Sequence, residues 1–160
     1  MPTPSAVTPD PLSPGVRAWA ALLRAHAALV PVLDRELQAV AGLPLAWYDV
    51  LLELSVAPER RLLMTELSAR VVLSRTRVSR VVDELERAGY VERQAHPSDR
   101  RSTYAAMTAA GRRRFRAAAP VYLRGIADHF ARHMSATELT TIAAALDRVL
   151  DRERGKEGPS

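Results

Sequence analysis

The chain has 160 residues, a formal net charge of +5 and no cysteine. This length suits one domain with a hydrophobic core, and the absence of cysteine excludes disulfides, thiol redox sensing and thiolate metal sites within the chain. No uninterrupted apolar run approaches the roughly 20 residues that a membrane-spanning helix needs. We therefore expect a cytoplasmic protein without a membrane partner.

The positive charge is concentrated in the middle of the chain. Residues 70–116 contain 12 arginines and five acidic residues, which gives +7 and leaves −2 for the rest of the chain. Such a concentration is typical of nucleic-acid binding. Arginine usage can also reflect compositional bias, so the placement of these residues carries more information than their number.

Two helical patterns precede the basic segment. Residues 1–12 are rich in Pro, Ser and Thr and are predicted to be disordered. Ser13-Pro14 predicts the start of a helix that reaches about residue 41, with an apolar stripe and a kink at Pro31. A second helix is predicted over residues 44–55. Its buried face, at i, i+3, i+4 and i+7, consists of Trp47, Val50, Leu51 and Leu54.

A helix-turn-helix pattern follows. The first helix is predicted over residues 64–71, capped by Thr65 and Glu66, and the second over residues 74–88, with Ser74 as its N-cap. Gly89 stands where helices often end in a left-handed residue. The core-facing stripe of the second helix consists of Val78, Val81, Val82 and Leu85.

The polar face of the second helix has its cations at the amino-terminal end. The residues there are Ser74, Arg75, Thr76, Arg77, Ser79 and Arg80. The helix dipole favours acidic residues at this end, so the arrangement indicates an anionic partner. A DNA major groove admits one helix and offers base edges and phosphates to such side chains. The alternative is a solvated arginine face on an ordinary amphipathic helix.

A hairpin is predicted after this helix. Residues 90–95 and 102–107 have strand patterns, and the turn between them begins with His-Pro-Ser-Asp. Residues 61–63 could pair with the hairpin as a third strand. Arg100 and Arg101 lie near its tip, where they could reach an adjacent minor groove or its phosphates.

Two further helices complete the pattern. Thr108 caps a helix predicted over residues 109–133 and kinked at Pro120. Its arginines at 112–116 could supply further phosphate contacts, but we expect them to be solvated. A capping box at residues 135–138 starts the last helix, which reaches about residue 152, and residues 153–160 should fray. Residues 13–41 and 109–152 carry more apolar surface than a monomer can cover. We therefore expect a homodimer that binds a near-palindromic DNA site.

The run MTELSARVVLSRTRVSRVVDELERAGYVER, followed by DRRSTYAAMTAAGRRRF, closely resembles the MarR family of winged helix-turn-helix transcriptional regulators. The resemblance is most specific over residues 62–113 and extends more weakly over 13–150. It implies a mainly α fold with a small β-hairpin wing, in one MarR-type domain over residues 13–152. A winged helix-turn-helix at 44–108 would be flanked by dimerisation helices at 13–41 and 109–152.

The resemblance also implies a function. Members are dimeric regulators that bind double-stranded DNA sequence-specifically, often repressors released by a small ligand. The recognition helix of the family matches residues 74–87, its wing arginine matches Arg100 or Arg101, and Asp99 matches the acid that braces the wing. Val72 stands where many members carry glycine. A β-branched residue rarely adopts a positive φ, so this turn is predicted not to be left-handed.

The remaining candidates concern small molecules. Family members often hold aromatic acids between the dimerisation helices and the winged domain, which suggests a pocket for a small aromatic or phenolic effector. The candidate lining residues are Trp19, His26, Trp47 and Tyr48, although packing explains the tryptophans equally well. His129 and His133 are spaced i, i+4 as metal ligands on a helix can be. They lack a third ligand, so we predict no metal and no cofactor.

An enzyme is not expected, because the sequence shows no nucleophile with its base and no phosphate-binding glycine loop. The competing function is a winged-helix protein-interaction module that does not bind DNA. Arginines on both the helix and the wing favour DNA, since a protein-only module does not need both.

Overall fold

The computed structural model describes residue 10 and residues 13–154. The chain divides into two compact units, residues 1–32 and residues 33–160. The predicted disordered tails lie outside the described residues, except for Asp10 and for Glu153 and Arg154, which complete the last helix.

The first unit contains the amino-terminal part of helix α1, which spans Pro14–Ala41. Ser13 caps it as predicted, since the Val16 amide donates to Ser13 Oγ at 3.4 Å. Large apolar side chains on this part of α1 are exposed to solvent. Their exposed fractions are 46% for Val16, 59% for Trp19, 40% for Leu22 and 49% for Leu23.

Helix α1 departs from the expectation that the chain has no apolar run of membrane-spanning length. By length and composition it could cross a membrane, with a mean hydropathy of 1.3 over an 18-residue window. Arg17 and Arg24 interrupt the apolar run. The mean hydropathy of the 18-residue window nevertheless stays in the range of a membrane-spanning helix. Core helices of soluble proteins, which are mostly buried, and amino-terminal signal sequences meet the same criterion.

Within the described part of the second unit, residues 33–154, the chain completes α1 and forms further helices and a small sheet. The helices are α2 (Leu45–Val56), α3 (Met64–Arg70), α4 (Arg75–Arg87), α5 (Ala109–His129) and α6 (Ala136–Arg154), with 3₁₀ turns at Pro58–Arg60 and Ala131–His133. The strands are β1 (Arg61–Leu63), β2 (Val91–Ala95) and β3 (Thr103–Met107).

The sheet is antiparallel and has the order β1-β3-β2. Leu62 of β1 pairs with Ala105 of β3, and Arg93 of β2 pairs with the same alanine from the other side. The predicted third strand is therefore confirmed. The hairpin of β2 and β3, with its connecting turn, is called the wing below.

The helix-turn-helix forms as the sequence pattern predicts. Ser74 Oγ accepts from the Arg77 amide at 3.3 Å and caps α4, and Gly89 follows its end with a φ of +74°. At α3, Glu66 accepts from the Leu63 amide at 2.9 Å, whereas Thr65 takes no part in capping. Val72 has no positive φ, as expected.

The core of the second unit lies between α2, α3, α4 and the sheet. Its fully buried large side chains are Leu37, Leu43, Val50, Leu51, Leu54, Leu67, Val78, Val82, Leu85 and Val91. Most belong to the stripes predicted from helical spacing. These stripes turn the opposite, polar face of α4 towards solvent.

Helix α5 is shorter than predicted. Phe130 leaves helical geometry with φ −124° and ψ −64°, and His133 lies in the following 3₁₀ turn. His129 and His133 are therefore not one turn apart on a helix face. No group of three or more His, Asp or Glu residues that could hold a metal occurs among the described residues.

Candidate nucleic-acid interface

The polar face of α4 presents unpaired cations. Arg75, Arg77 and Arg80 are exposed, and none of their guanidinium groups has an ion pair or hydrogen bond within the described residues. The first turn of α4 contains no acidic residue. Because the helix dipole opposes positive charge at this end, the helix by itself gives these cations no compensation. Thr76 and Ser79 are exposed beside them.

The acidic residues of α4 have partners inside the protein. Asp83 and Glu86 bind the Arg93 guanidinium at 2.7 and 2.8 Å. Burial alone would lower the pKa of Arg93, but hydrogen bonds to Glu86 and Asp83 outweigh it and raise that pKa. This cluster ties β2 to α4, and its single guanidinium group balances one of the two carboxylates. The cations at the start of α4 are left without neutralising acids in the part of the chain that the structure describes.

Trp47 connects α2 to α4. Its Nε1 donates to Glu84 at 2.8 Å, and its ring meets Tyr90 edge to face, with centroids 6.2 Å apart. Trp47 also borders a hollow of about 430 Å³, and Arg77, Arg80 and Glu84 are among its other lining residues. The indole therefore fixes both the position of α4 and the direction of the Glu84 carboxylate.

The turn of the wing is braced from within. Asp99 accepts from Ser102 Oγ at 2.6 Å and from the Arg101 amide at 3.0 Å. These two hydrogen bonds lower the pKa of Asp99. His96 Nδ1 accepts from the Asp99 amide at 3.1 Å. Asp99 thus occupies the bracing position that the family resemblance implies.

Arg100 and Arg101 are exposed near the tip of this braced turn. Their guanidinium groups have no ion pair within the described part of the chain. Among the described residues, five arginine side chains are therefore available at the start of α4 and on the wing, three on α4 and two on the wing. Arg87, at the carboxyl end of α4, is also exposed and has no ion pair within the described residues.

Not every arginine of the basic segment is available. Arg93 is ion-paired, as described above, and Arg114 donates to the Gly42 carbonyl oxygen at 2.9 Å. Arg114 Nε is buried and has no partner among the described residues. The prediction that the arginines at 112–116 are solvated is therefore wrong for Arg114. The total charge of the segment overstates its accessible charge.

The candidate effector residues fall into different surroundings. Tyr48 is only 3% exposed and packs against Phe115 and Tyr122, with ring centroids 5.0 and 4.6 Å away. Burial, then the neighbouring Tyr122, raises the pKa of Tyr48. Trp47 is half-buried beside α4, while Trp19 and His26 are exposed in the first unit. The effector pocket stays a prediction.

Two titratable features were not predicted. Burial, reinforced by Glu53, raises the pKa of Asp49 on α2 to about 6. His129 Nε2 lies 2.7 Å from Glu36 Oε1, across a sequence separation of 93 residues. The Glu36–His129 contact has no local signal, because it joins distant segments. Glu53 is a local signal at i, i+4 from Asp49, but the burial that acts first on Asp49 depends on packing.

Comparison with known proteins gives a consistent result. The sequence model of the MarR family matches residues 41–102. Sco3205 of Streptomyces coelicolor, a MarR family transcriptional regulator solved in complex with DNA, is 30% identical, with a TM-score of 0.80 over 89% of this chain and 91% of that one. No curated protein sequence matched the chain.

Two further structures are similar. AbsC, another MarR family regulator of S. coelicolor, is 29% identical, with a TM-score of 0.78 over 90% of this chain and 97% of that one. A mutant of MarR from E. coli complexed with operator DNA has a TM-score of 0.73 at 19% identity, over 89% of this chain and 99% of that one. This last likeness concerns the fold alone.

Proposed function

Because this chain belongs to the MarR family of transcriptional regulators, we propose that it binds double-stranded DNA sequence-specifically and regulates transcription as a homodimer. The observation that carries the proposal is the set of five exposed guanidinium groups at the start of α4 and on the wing, which are unpaired within the described residues. These two elements are the ones that a winged helix-turn-helix directs at DNA.

The charge distribution on α4 supports DNA over a solvated arginine face. All three acids of the helix have partners: Asp83 and Glu86 bind Arg93, and Glu84 accepts from Trp47. Asp83 and Glu84 stand three and four residues after Arg80, the spacing at which ion pairs form on a helix, yet each has another partner and neither pairs with Arg80. The cations at the start of α4 therefore lack that compensation, and a polyanionic duplex would supply it. That Sco3205 was solved in complex with DNA supports the same ligand.

Homodimer formation is supported by exposed apolar side chains. On α6, the exposed fractions are 38% for Ile142, 36% for Leu146, 59% for Val149 and 51% for Leu150. The amino-terminal part of α1 exposes a similar set, which includes Trp19. Two-fold symmetry would place the recognition helices about one turn of DNA apart on a near-palindromic site.

The finer parts of the proposal follow from the family. The protein acts in the cytoplasm as a repressor without enzymatic activity, and a small aromatic or phenolic effector releases it from DNA. The candidate effector residues remain Trp19, His26, Trp47 and Tyr48. A screen of such compounds for release of bound duplex tests this part separately from DNA binding.

Substitution of the arginines tests the proposal directly. Arg77→Ala or Arg80→Ala should weaken binding to a selected operator by about 1–3 kcal/mol if the side chain contacts a base. Arg100→Ala or Arg101→Ala should weaken binding more uniformly across sequences and flatten its salt dependence. Gel-shift titration of duplexes selected from random sequence measures both effects.

The matched control is Arg152→Ala on α6, an exposed arginine outside the proposed interface. It should leave affinity unchanged. Unchanged binding for all four interface variants would contradict the proposal and favour a protein-interaction module instead.

A further inference from the structure

His96, at the start of the turn of the wing, accepts hydrogen bonds from two backbone amides of that turn. Its Nδ1 atom lies 3.1 Å from the Asp99 amide nitrogen and 3.3 Å from the Ser98 amide nitrogen. Neither amide has a backbone acceptor among the described residues. The imidazole ring therefore takes the place that a backbone carbonyl group usually has in a turn.

The direction of these hydrogen bonds determines the protonation state of the ring. A backbone amide can only donate, so Nδ1 accepts and carries no proton. The ring is then neutral, with its proton on Nε2, because a protonated imidazole is a donor at both nitrogens. The Ser98 hydroxyl, 3.4 Å from Nδ1, could accept from a protonated ring, but the two amides could not. This turn conformation thus requires the neutral form of His96.

The ring of His96 is held against the sheet. It stacks on Tyr104 of β3, with ring centroids 5.3 Å apart and the planes at 20°. The Arg61 guanidinium of β1 lies over the Tyr104 ring, 4.8 Å from its centroid, and forms an ion pair with Glu59. Because rotation of the imidazole would break the stacking on Tyr104, loss of the acceptor nitrogen changes the turn itself.

Asp99 is the acid closest to the ring in sequence, and it stays charged while histidines titrate. The hydrogen bond from Ser102, then that from the Arg101 amide, lowers the pKa of Asp99, and attraction to His96 adds a smaller decrease. Histidine side chains ordinarily change charge between about pH 5 and 8. The other charged residues of the turn and of the surrounding sheet are Arg100 and Arg101, Glu92 on β2, Arg61 on β1, and Glu59 before it.

We propose that His96 positions the wing arginines and makes their contribution to DNA binding depend on pH. The inference rests on the proposed function, in which Arg100 and Arg101 contact the duplex. Neutral His96 holds the Ser98 and Asp99 amides and so fixes the turn that presents both arginines. Protonation of Nδ1 removes the acceptor and releases both amides, and DNA binding must then order the turn again, at a cost in affinity.

The charge gained by a protonated His96 acts in the opposite direction, since it attracts phosphate. A charge at this partly exposed site is screened by salt. The loss of two hydrogen bonds in each wing therefore outweighs it. The wing is ordered at neutral and alkaline pH, and its contribution to affinity is lost as the pH falls.

Duplex affinity at pH 8 and pH 5.5 tests the inference. Affinity of the unmodified protein should fall about tenfold on acidification, as expected for the loss of about one hydrogen bond in each wing of a dimer. His96→Asn should bind equally well at both pH values, because an asparagine side chain accepts from amides of a following turn and does not titrate. His96→Leu has no acceptor and should bind weakly at both pH values.

His133→Asn is the matched control, since it makes the same substitution at an exposed histidine outside the wing. It should keep the pH dependence of the unmodified protein. Urea unfolding at both pH values shows that each variant is folded where its affinity is measured.

Nuclear magnetic resonance of the free protein tests the role of His96 without DNA. At pH 8 the ring should be the neutral form protonated at Nε2, and the amide resonances of Ser98 and Asp99 should titrate with the same midpoint as the ring. In His96→Asn these two amides should not titrate in this range. A neutral ring protonated at Nδ1, or amides that do not follow its titration, would overturn the inference.

The affinity measurements provide independent contradictions. His96→Asn with the pH dependence of the unmodified protein would overturn the inference, as would an affinity that rises on acidification only when His96 is present. Failure of the unmodified protein to bind any duplex at either pH would overturn the proposed function itself, whatever the resonances show.

Discussion

Gly111 joins the wing to α5 by close backbone packing. Its amide donates to Thr108 Oγ at 3.0 Å, while Thr108 Oγ donates to the Gly89 carbonyl oxygen at 2.7 Å. A methyl group on Gly111 would collide with the Tyr90 carbonyl oxygen and lie 2.9 Å from its carbon. Only glycine fits, because the obstructing atoms are backbone.

Gly111→Ala should therefore lower the free energy of unfolding by about 2 kcal/mol or more, as overpacking against fixed atoms does. Gly125→Ala is the matched control. There the added methyl would meet the flexible ends of Leu33 and Glu36, at 2.8 and 3.2 Å, and those can move. Urea unfolding at one fixed protein concentration measures the difference. Equal stability of the two variants would contradict this account of Gly111.

Asp49 lowers the stability of the folded protein, and the size of this effect depends on pH. Burial, then Glu53, raises its pKa to about 6 in the folded protein, above the ordinary value of 3.8. The folded state therefore binds the proton more tightly than the unfolded state, and stability falls as pH rises from about 4 through about 6. Above pH 6 the cost is on the order of 1–2 kcal/mol, reduced by the partial solvent access of the side chain.

Asp49→Asn removes this titration. The variant should be more stable than the unmodified protein at pH 7.5, and the difference should disappear as pH approaches about 4. Unfolding at a series of pH values measures it. A difference that does not change with pH would show that Asp49 carries no such penalty.

At the scale of elements, the position of α4 depends on a contact with α2. The Trp47 indole holds the Glu84 carboxylate at 2.8 Å, and Glu84 lines the same hollow as Arg77 and Arg80. A carboxylate released at this place would repel DNA phosphate. The hydrogen bond therefore affects DNA binding as well as the packing of the two helices.

Trp47→Phe keeps an aromatic ring but removes the donor, so it should weaken duplex affinity severalfold. Glu84→Gln keeps an acceptor without the charge and should preserve affinity. The double variant should recover most of the affinity, because no charge is then released. Fluorescence anisotropy of labelled duplex measures all three. A double variant as weak as Trp47→Phe alone would show that the charge of Glu84 is irrelevant.

The elements of the interface could be predicted because their signals are local. The N-cap Ser74, the valine stripe and Gly89 lie within or beside α4, and the turn residues lie within the wing. The end of α5 and the capping role of Thr65 were predicted wrongly. Arg114 was misassigned for a different reason. Its partner Gly42 lies 72 residues away along the chain, and spacing within one helix does not identify it.

At the scale of the whole molecule, the proposed function requires a second copy of the chain. Exposed apolar side chains on α6 and on the first part of α1 have no cover within the described parts of their own units. Contiguous exposed apolar surface marks interaction sites. The sequence predicted this surplus of apolar surface because helical spacing shows how many faces of a helix are apolar.

Leu150→Glu on α6 should shift the protein from dimer to monomer, since it places a charge in the apolar interface. Duplex affinity should fall with it, because a monomer binds only one half-site. Sedimentation velocity across a dilution series measures the oligomeric state. Thr141→Glu, on another face of α6, is the control and should remain dimeric. A dimer unaffected by Leu150→Glu would place the subunit interface elsewhere.

We propose the five exposed arginines at the start of α4 and on the wing as the binding surface for duplex DNA. The most direct measurement is the affinity of the purified dimer for a selected duplex as a function of salt concentration. The logarithm of the association constant should fall linearly with the logarithm of salt, with a slope of about −0.9 for each phosphate neutralised and steeper than about −3 for a dimer. Absence of affinity for every duplex at low salt, or affinity that does not change with salt, would contradict the claim.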